Sequence, residues 1–156
     1  MKMGKVMDTL SKVQAINAMN LDILVDDLVR GGMPKSDAAV AVERYRSFLI
    51  AVAAYPTETI IPSKLVDKVW HAHMLRPRVY FEDCMVALGQ IVDHTPGVYG
   101  TPAYEAAYAM TRKLVSYGHT MPVDPYADHP MAGADCWRRE PGEDPEWPLI
   151  RQVDHA

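Results

Sequence analysis

Apolar positions recur at helical spacing over most of the first 118 residues. Met7, Leu10, Val13 and Ile16 fall three apart, which predicts an amphipathic helix over Val6 to Met19. Leu21 to Val29 predicts a second, shorter helix, stopped by Gly31-Gly32 and Pro34. Ser36 or Asp37 can cap a third helix running to Ala54, with Pro56 ending it. The second half of that helix, SFLIAVAAY, is apolar almost all round, so Ser36 to Ala54 is expected to be the most buried. Ser63 to Leu75 and Pro77 to Val92 read as two more helices, with Pro77 suited to a first helical turn. HTPGVYGTP is a turn-rich connector, after which Thr101-Pro102 opens a last helix closed by Gly118. Its stripe runs through Tyr104, Ala107, Tyr108, Met110 or Thr111, Leu114 and Val115. With no alternating strand pattern of any length, the prediction is an all-α bundle of about five to six helices.

The pattern changes after Gly118. Six of the twelve prolines follow it, with eight acidic residues against three basic ones, and no helical stripe. The chain therefore divides into a helical domain, 1–118, and an extended, acidic, Pro-rich tail, 119–156. Trp137, Trp147 and Pro148-Leu149-Ile150 give this tail apolar anchors, so it is expected to pack on the domain.

Composition narrows the function classes. At 156 residues the chain is long enough for one proper core. A net charge of −4 argues against nucleic acid as the partner of the whole surface. Cys84 and Cys136 make no disulfide framework. The N-terminus does not read as a secretion signal, and the longest apolar run, Phe48 to Tyr55, is far short of the roughly 20 residues that span a bilayer. The expectation is a soluble cytoplasmic protein with no membrane contact.

Candidate chemistry concentrates in VDKVWHAHMLRPRVYFEDC, Val66 to Cys84. Each helical residue turns by about 100°, so His71 and His73 should face nearly opposite sides. His73 falls in line with Leu65, Val66 and Val69 on the apolar face, and His71 lies over Asp67. A regular helix therefore cannot bring both rings to one metal ion. On the next helix, Tyr80, Cys84, Ala87 and Ile91 follow at steps of four or three, with Cys84 sharing an apolar stripe with Phe81, Leu88 and Ile91. If the two helices turn back about Pro77, His73 could meet Cys84 or Tyr80, and His94 could approach the same end. His71, His73, His94 and Cys84 are the candidate metal donors, of types that suit zinc or iron. Asp67, Trp70, Tyr80 and Asp83 are candidates for ligand contact or for orienting the donors. A plainer reading makes the same residues a structural hydrogen-bond network, since burying so many polar groups is costly unless each finds a partner.

Other chemistries lack their motifs. Gly31-Gly32 has neither the spacing nor the lysine of a phosphate loop, and His71 and His73 are two apart rather than four as in HExxH. A Cys84 nucleophile on an apolar face would have its pKa raised rather than lowered.

The order Pro62, Val66-Asp67, Trp70-His71-Ala72-His73, Pro77, Tyr80, Asp83-Cys84, Gly89 and Asp93-His94 resembles the glycine-rich domain-containing protein-like family, over about Pro56 to His94. That family occurs in bacteria, in fungi and as the N-terminal part of plant glycine-rich domain proteins. Its plant members are associated with development and stress responses, and with RNA binding through a separate region. This chain has nine scattered glycines and no glycine-rich segment, so the resemblance carries no RNA role to it. Two hypotheses remain. One is a metal- or small-ligand-binding helical domain, with enzymatic activity left open. The other is a non-catalytic interaction module whose partner is a protein, with the cluster as a structural lock.

Overall fold

The computed structural model of the chain describes residues 2–116, 124–125 and 133–138, giving only the backbone for 2–7 and 115–116. Among the described residues six helices follow in order: α1 (Lys2–Ala18), α2 (Asp22–Arg30), α3 (Lys35–Ala54), α4 (Lys64–Met74), α5 (Pro77–Leu88) and α6 (Pro102–Ser116). Two two-residue strands, β1 (Thr95–Pro96) and β2 (Cys136–Trp137), pair antiparallel with Thr95 opposite Trp137 and Pro96 opposite Cys136. The architecture is the all-α bundle that the apolar spacing predicts.

α3 is the axis. It buries twelve of its twenty residues, because the run from Phe48 to Ala53 is apolar all round and Arg46 and Ser47 are buried just before it. α1, α2 and α4 pack around it, and α5 lies across α1 and α4. Tyr45, Phe48 and Trp70 are the largest side chains fully enclosed, and each such burial contributes about 1.5–3 kcal/mol. Buried Arg46 ties α1 to α3 by donating through one Nη to the carbonyls of Ile16 (2.6 Å) and Met19 (2.8 Å). A cation at a helix C-terminus satisfies carbonyls that have no partner within the helix.

Helix boundaries show where local chemistry departs from the sequence reading. α3 starts from Pro34 with no side-chain cap, so Ser36 and Asp37 lie inside its first turn. Ser63 is the N-cap of α4, its Oγ accepting from the Val66 amide at 3.2 Å. α5 begins at Pro77 as expected but stops at Leu88 rather than Val92. The reason is Gly89, at φ +75°, a left-handed conformation that ends a helix and favours glycine. The buried face of α5 is Tyr80, Cys84 and Ala87, while Phe81 and Ile91, expected on that stripe, are exposed. In α6 the stripe takes Thr111, which is buried, and leaves Met110 exposed.

Residues 133–138 lie against the bundle. Ile60 and Arg138 exchange backbone hydrogen bonds (3.0 and 2.8 Å), and the Ala134 amide donates to the Pro62 carbonyl at 2.9 Å. Trp137 is buried with Ile61, Val98 and Tyr104 in a small second core. Of the expected tail anchors, Trp137 is thus packed; Trp147 and Pro148-Leu149-Ile150 lie outside the described residues. Among the described residues no helix is long and apolar enough to cross a membrane.

Candidate metal centre

α4 is regular throughout, so its rotation per residue sends His71 and His73 to different surroundings. His73 points into the core and is 1% exposed. Its Nδ1 is 2.7 Å from Tyr45 Oη and its Nε2 is 2.8 Å from Asp83 Oδ2. Burial pushes the His73 pKa down, against the opposing pull of Asp83, and burial holds the Tyr45 hydroxyl well above its ordinary value. The ring is therefore neutral at pH 7: Tyr45 Oη–H donates to Nδ1, and Nε2–H donates to Asp83. Both ring nitrogens are used, and Tyr80 meets the ring edge-on with centroids 4.9 Å apart. The order carboxylate–imidazole–hydroxyl is that of a hydrolytic triad, yet Tyr45 is wholly enclosed and cannot meet a substrate. This is a satisfied core network.

A second chain of bonds begins at Trp70. Its Nε1–H donates to Tyr80 Oη at 3.0 Å, and Tyr80 Oη–H donates to the Val92 carbonyl. Trp70 also packs on Phe48 (5.0 Å between centroids) and edge-on against His94 (4.5 Å). Tyr80 thus fixes the chain two residues ahead of His94. Burial pushes the Cys84 thiol up, so it stays protonated beside Tyr80. The structure does not bring His73 and Cys84 to the same point as His71 and His94.

His71 and His94 meet on the other side of α4. Their Nε2 atoms are 3.0 Å apart. Asp67, one turn before His71, places Oδ1 3.0 Å from His94 Nε2 and 3.5 Å from His71 Nε2. Cys136 Sγ comes to 3.1 Å from the same oxygen, from 69 residues away. Cys136 is 2% exposed, and the side chains of His94, Asp67 and His71 are 10%, 20% and 52% exposed. The cluster is therefore sealed at the thiol and open at His71. Donor atoms of Asp67, His94 and Cys136 all lie within 4.8 Å of one another.

His71 stands outside that group of three, and a tetrahedral ion would spread the donors slightly from the 3.0–3.5 Å at which they stand. Metal–donor bonds of about 2.0–2.1 Å to N or O and 2.3 Å to S put neighbouring donors about 3.3–3.6 Å apart. Burial pushes the Asp67 carboxyl up, but the His94 and Cys136 hydrogen bonds and the charges of His71 and His94 outweigh it and leave its pKa lowered. Burial, then Asp67, pushes the Cys136 thiol far up, so without a cation it is a neutral S–H donor. A bound cation reverses this and deprotonates the thiol.

Protons alone serve the cluster poorly. A neutral imidazole nitrogen either carries a hydrogen or offers a lone pair. If His94 Nε2–H donates to Asp67, His71 must share that hydrogen, and its lone pair then also faces the carboxylate at 3.5 Å. If both rings carry Nε2 hydrogens, two N–H groups confront each other at 3.0 Å. With Asp67 ionised, the two 3.0 Å contacts of His94 Nε2 depend on a single hydrogen. One cation would use all the lone pairs together.

His71, His94 and Asp67 are visible from helical spacing, Asp67 as an orienting partner, whereas Cys136 and Tyr45 meet the histidines only through the fold. The signal for Cys136 was weak: a second cysteine beside the Trp137 anchor in a segment without periodicity.

The fold is a small helical domain in which Asp67, His94 and Cys136 are grouped closely enough to hold an ion. The model of the glycine-rich domain-containing protein-like family matches residues 34–83, so this part of the chain is similar to that family. The match starts earlier than the resemblance read from the sequence and takes in all of α3, with α4 and the first half of α5. His94 and Cys136 lie beyond it. No curated protein and no solved structure matches the chain.

Proposed function

We propose that the chain binds one divalent transition-metal ion through Asp67, His71, His94 and Cys136. The observation that carries this reading is the triangle of His71 Nε2, His94 Nε2 and Asp67 Oδ1, with edges of 3.0, 3.0 and 3.5 Å, beside Cys136 Sγ at 3.1 Å from the same oxygen. Mixed nitrogen, oxygen and sulfur donors select zinc or ferrous iron over calcium or magnesium, which prefer oxygen alone. His73, with both nitrogens engaged, belongs to the core network, and Trp70, Tyr80 and Asp83 hold the elements that carry the donors. We place the protein in the cytoplasm, a reducing compartment; support comes from its two cysteines, both free and buried.

The test is zinc titration of chelator-stripped protein, following heat or metal content. One equivalent should bind. Asp67→Asn and His94→Ala should each weaken binding by more than the about 10–100-fold typical of outer-shell partners. Absence of uptake, or uptake indifferent to both substitutions, would overturn the reading.

A further inference from the structure

We infer that the metal is a clamp: its binding holds residues 133–138 against α4 and β1, so docking of this segment depends on the ion. The inference rests on the metal-binding reading above. Three of the four donors belong to the bundle, Asp67 and His71 on α4 and His94 immediately before β1. Only Cys136 comes from the segment. A single ion would therefore join pieces of chain that are 69 residues apart at Asp67 and Cys136.

The segment's other anchors are short. β2 pairs with β1 over two residues, and a two-stranded ribbon is marginal on its own. Beyond it stand the Ile60–Arg138 bonds, Ala134 to Pro62, and the Gly97 amide donating to the Asp135 carbonyl at 3.0 Å. Trp137 in the second core and the Tyr99 and Tyr104 hydroxyls, on the Gly133 and Ala134 carbonyls, add to these anchors, but of the donors only Cys136 would tie the segment to α4 through an ion. Without a cation, Cys136 offers only a weak S–H donor. With one, the thiolate forms a coordinate bond.

The consequence reaches the central helix. Arg138 spans the C-terminus of α3, donating through one Nη to the Tyr55 carbonyl at 2.6 Å and through the other to that of Pro56 at 2.5 Å. Undocking the segment removes that cap, so the state of the metal site is felt at the end of α3.

Hydrogen exchange of the full-length protein, zinc-loaded against chelator-treated, tests this, with metal content measured on the same samples. Amides of 133–138 and of the turn at 55–60 should exchange at least about tenfold faster without zinc, while the middle of α3 keeps its protection. Zinc bound at one equivalent with unchanged exchange at 133–138 would overturn the clamp and leave the binding reading standing. If no zinc binds, both fail together.

Discussion

His71 and His94 are 23 residues apart in the chain, yet their Nε2 atoms lie 3.0 Å from each other. Two devices bring this about. Ser63 sets the start of α4 and hence the direction in which Asp67 and His71 project. Tyr80 bonds the Val92 carbonyl, which brings the chain after Gly89 back over Trp70. Neither device touches the cluster itself, so both can be tested apart from it.

Replacing His73 should destabilise the protein without stripping it of metal. His73→Ala leaves the Tyr45 hydroxyl and Asp83 without their shared partner, at a cost of about 1–3 kcal/mol. For a chain of this length that is a fall of several degrees in the thermal midpoint. Zinc stoichiometry should stay at one. Loss of metal in a folded His73→Ala variant would place His73 in the site.

Tyr80→Phe should affect both properties. The buried Trp70 Nε1–H and Val92 carbonyl each lose a partner, again about 1–3 kcal/mol. Because Val92 positions His94, zinc affinity should fall as well while stoichiometry is kept. Calorimetric unfolding and zinc titration of the same preparation check the two effects; wild-type affinity would remove Tyr80 from the account.

Gly133 sits where a side chain has no room. A Cβ there would run into the Tyr104 hydroxyl and press on Ile61 and Tyr108. Gly133→Ala should lift the segment from Tyr104, whose hydroxyl donates to the Ala134 carbonyl at 2.9 Å. The expected cost is about 1–3 kcal/mol. Hydrogen exchange should show the loss confined to 133–138 and its contacts, and zinc should bind more weakly.

Acid should weaken the bundle through Asp27. Its carboxylate takes a two-pronged hydrogen bond from Arg76 (2.6 and 2.9 Å), which holds its pKa below the ordinary value despite the opposing effect of burial. The unfolded chain then binds the proton more readily than the folded one. The stabilisation is complete above the ordinary carboxylate pKa of about 3.9 and is lost as pH falls through the lower folded value. Arg76→Gln should flatten the acid limb of the stability curve, measured by denaturant unfolding from pH 7 to 2. An unchanged limb would show the pair to be inert.

The helices were legible because burial on one face leaves a stripe at 3.6-residue spacing, and the opposite directions of His71 and His73 followed from rotation alone. What escaped was long-range pairing. His73 was expected near Tyr80 or Cys84; it does touch Tyr80, but its bonds go to Asp83 and to Tyr45, 28 residues earlier on α3. No local pattern announces such a partner. The apolar spacing carries α5 to Val92, four residues past its end, because Gly89 stops the helix without breaking that spacing. Cys136 carries no such signal, because short strands paired at a single edge leave no periodic trace.

Cobalt(II) substitution gives the most direct measurement of the central claim, because a thiolate on cobalt produces a sulfur-to-metal charge-transfer band that reports one ligand. Cysteine must lose its proton to bind, so the band requires an ionised thiol at the metal. The cobalt protein should show it, Cys136→Ser should lose it, and Cys84→Ser should keep it. A cobalt protein without the band, or a band that survives Cys136→Ser, would contradict the account.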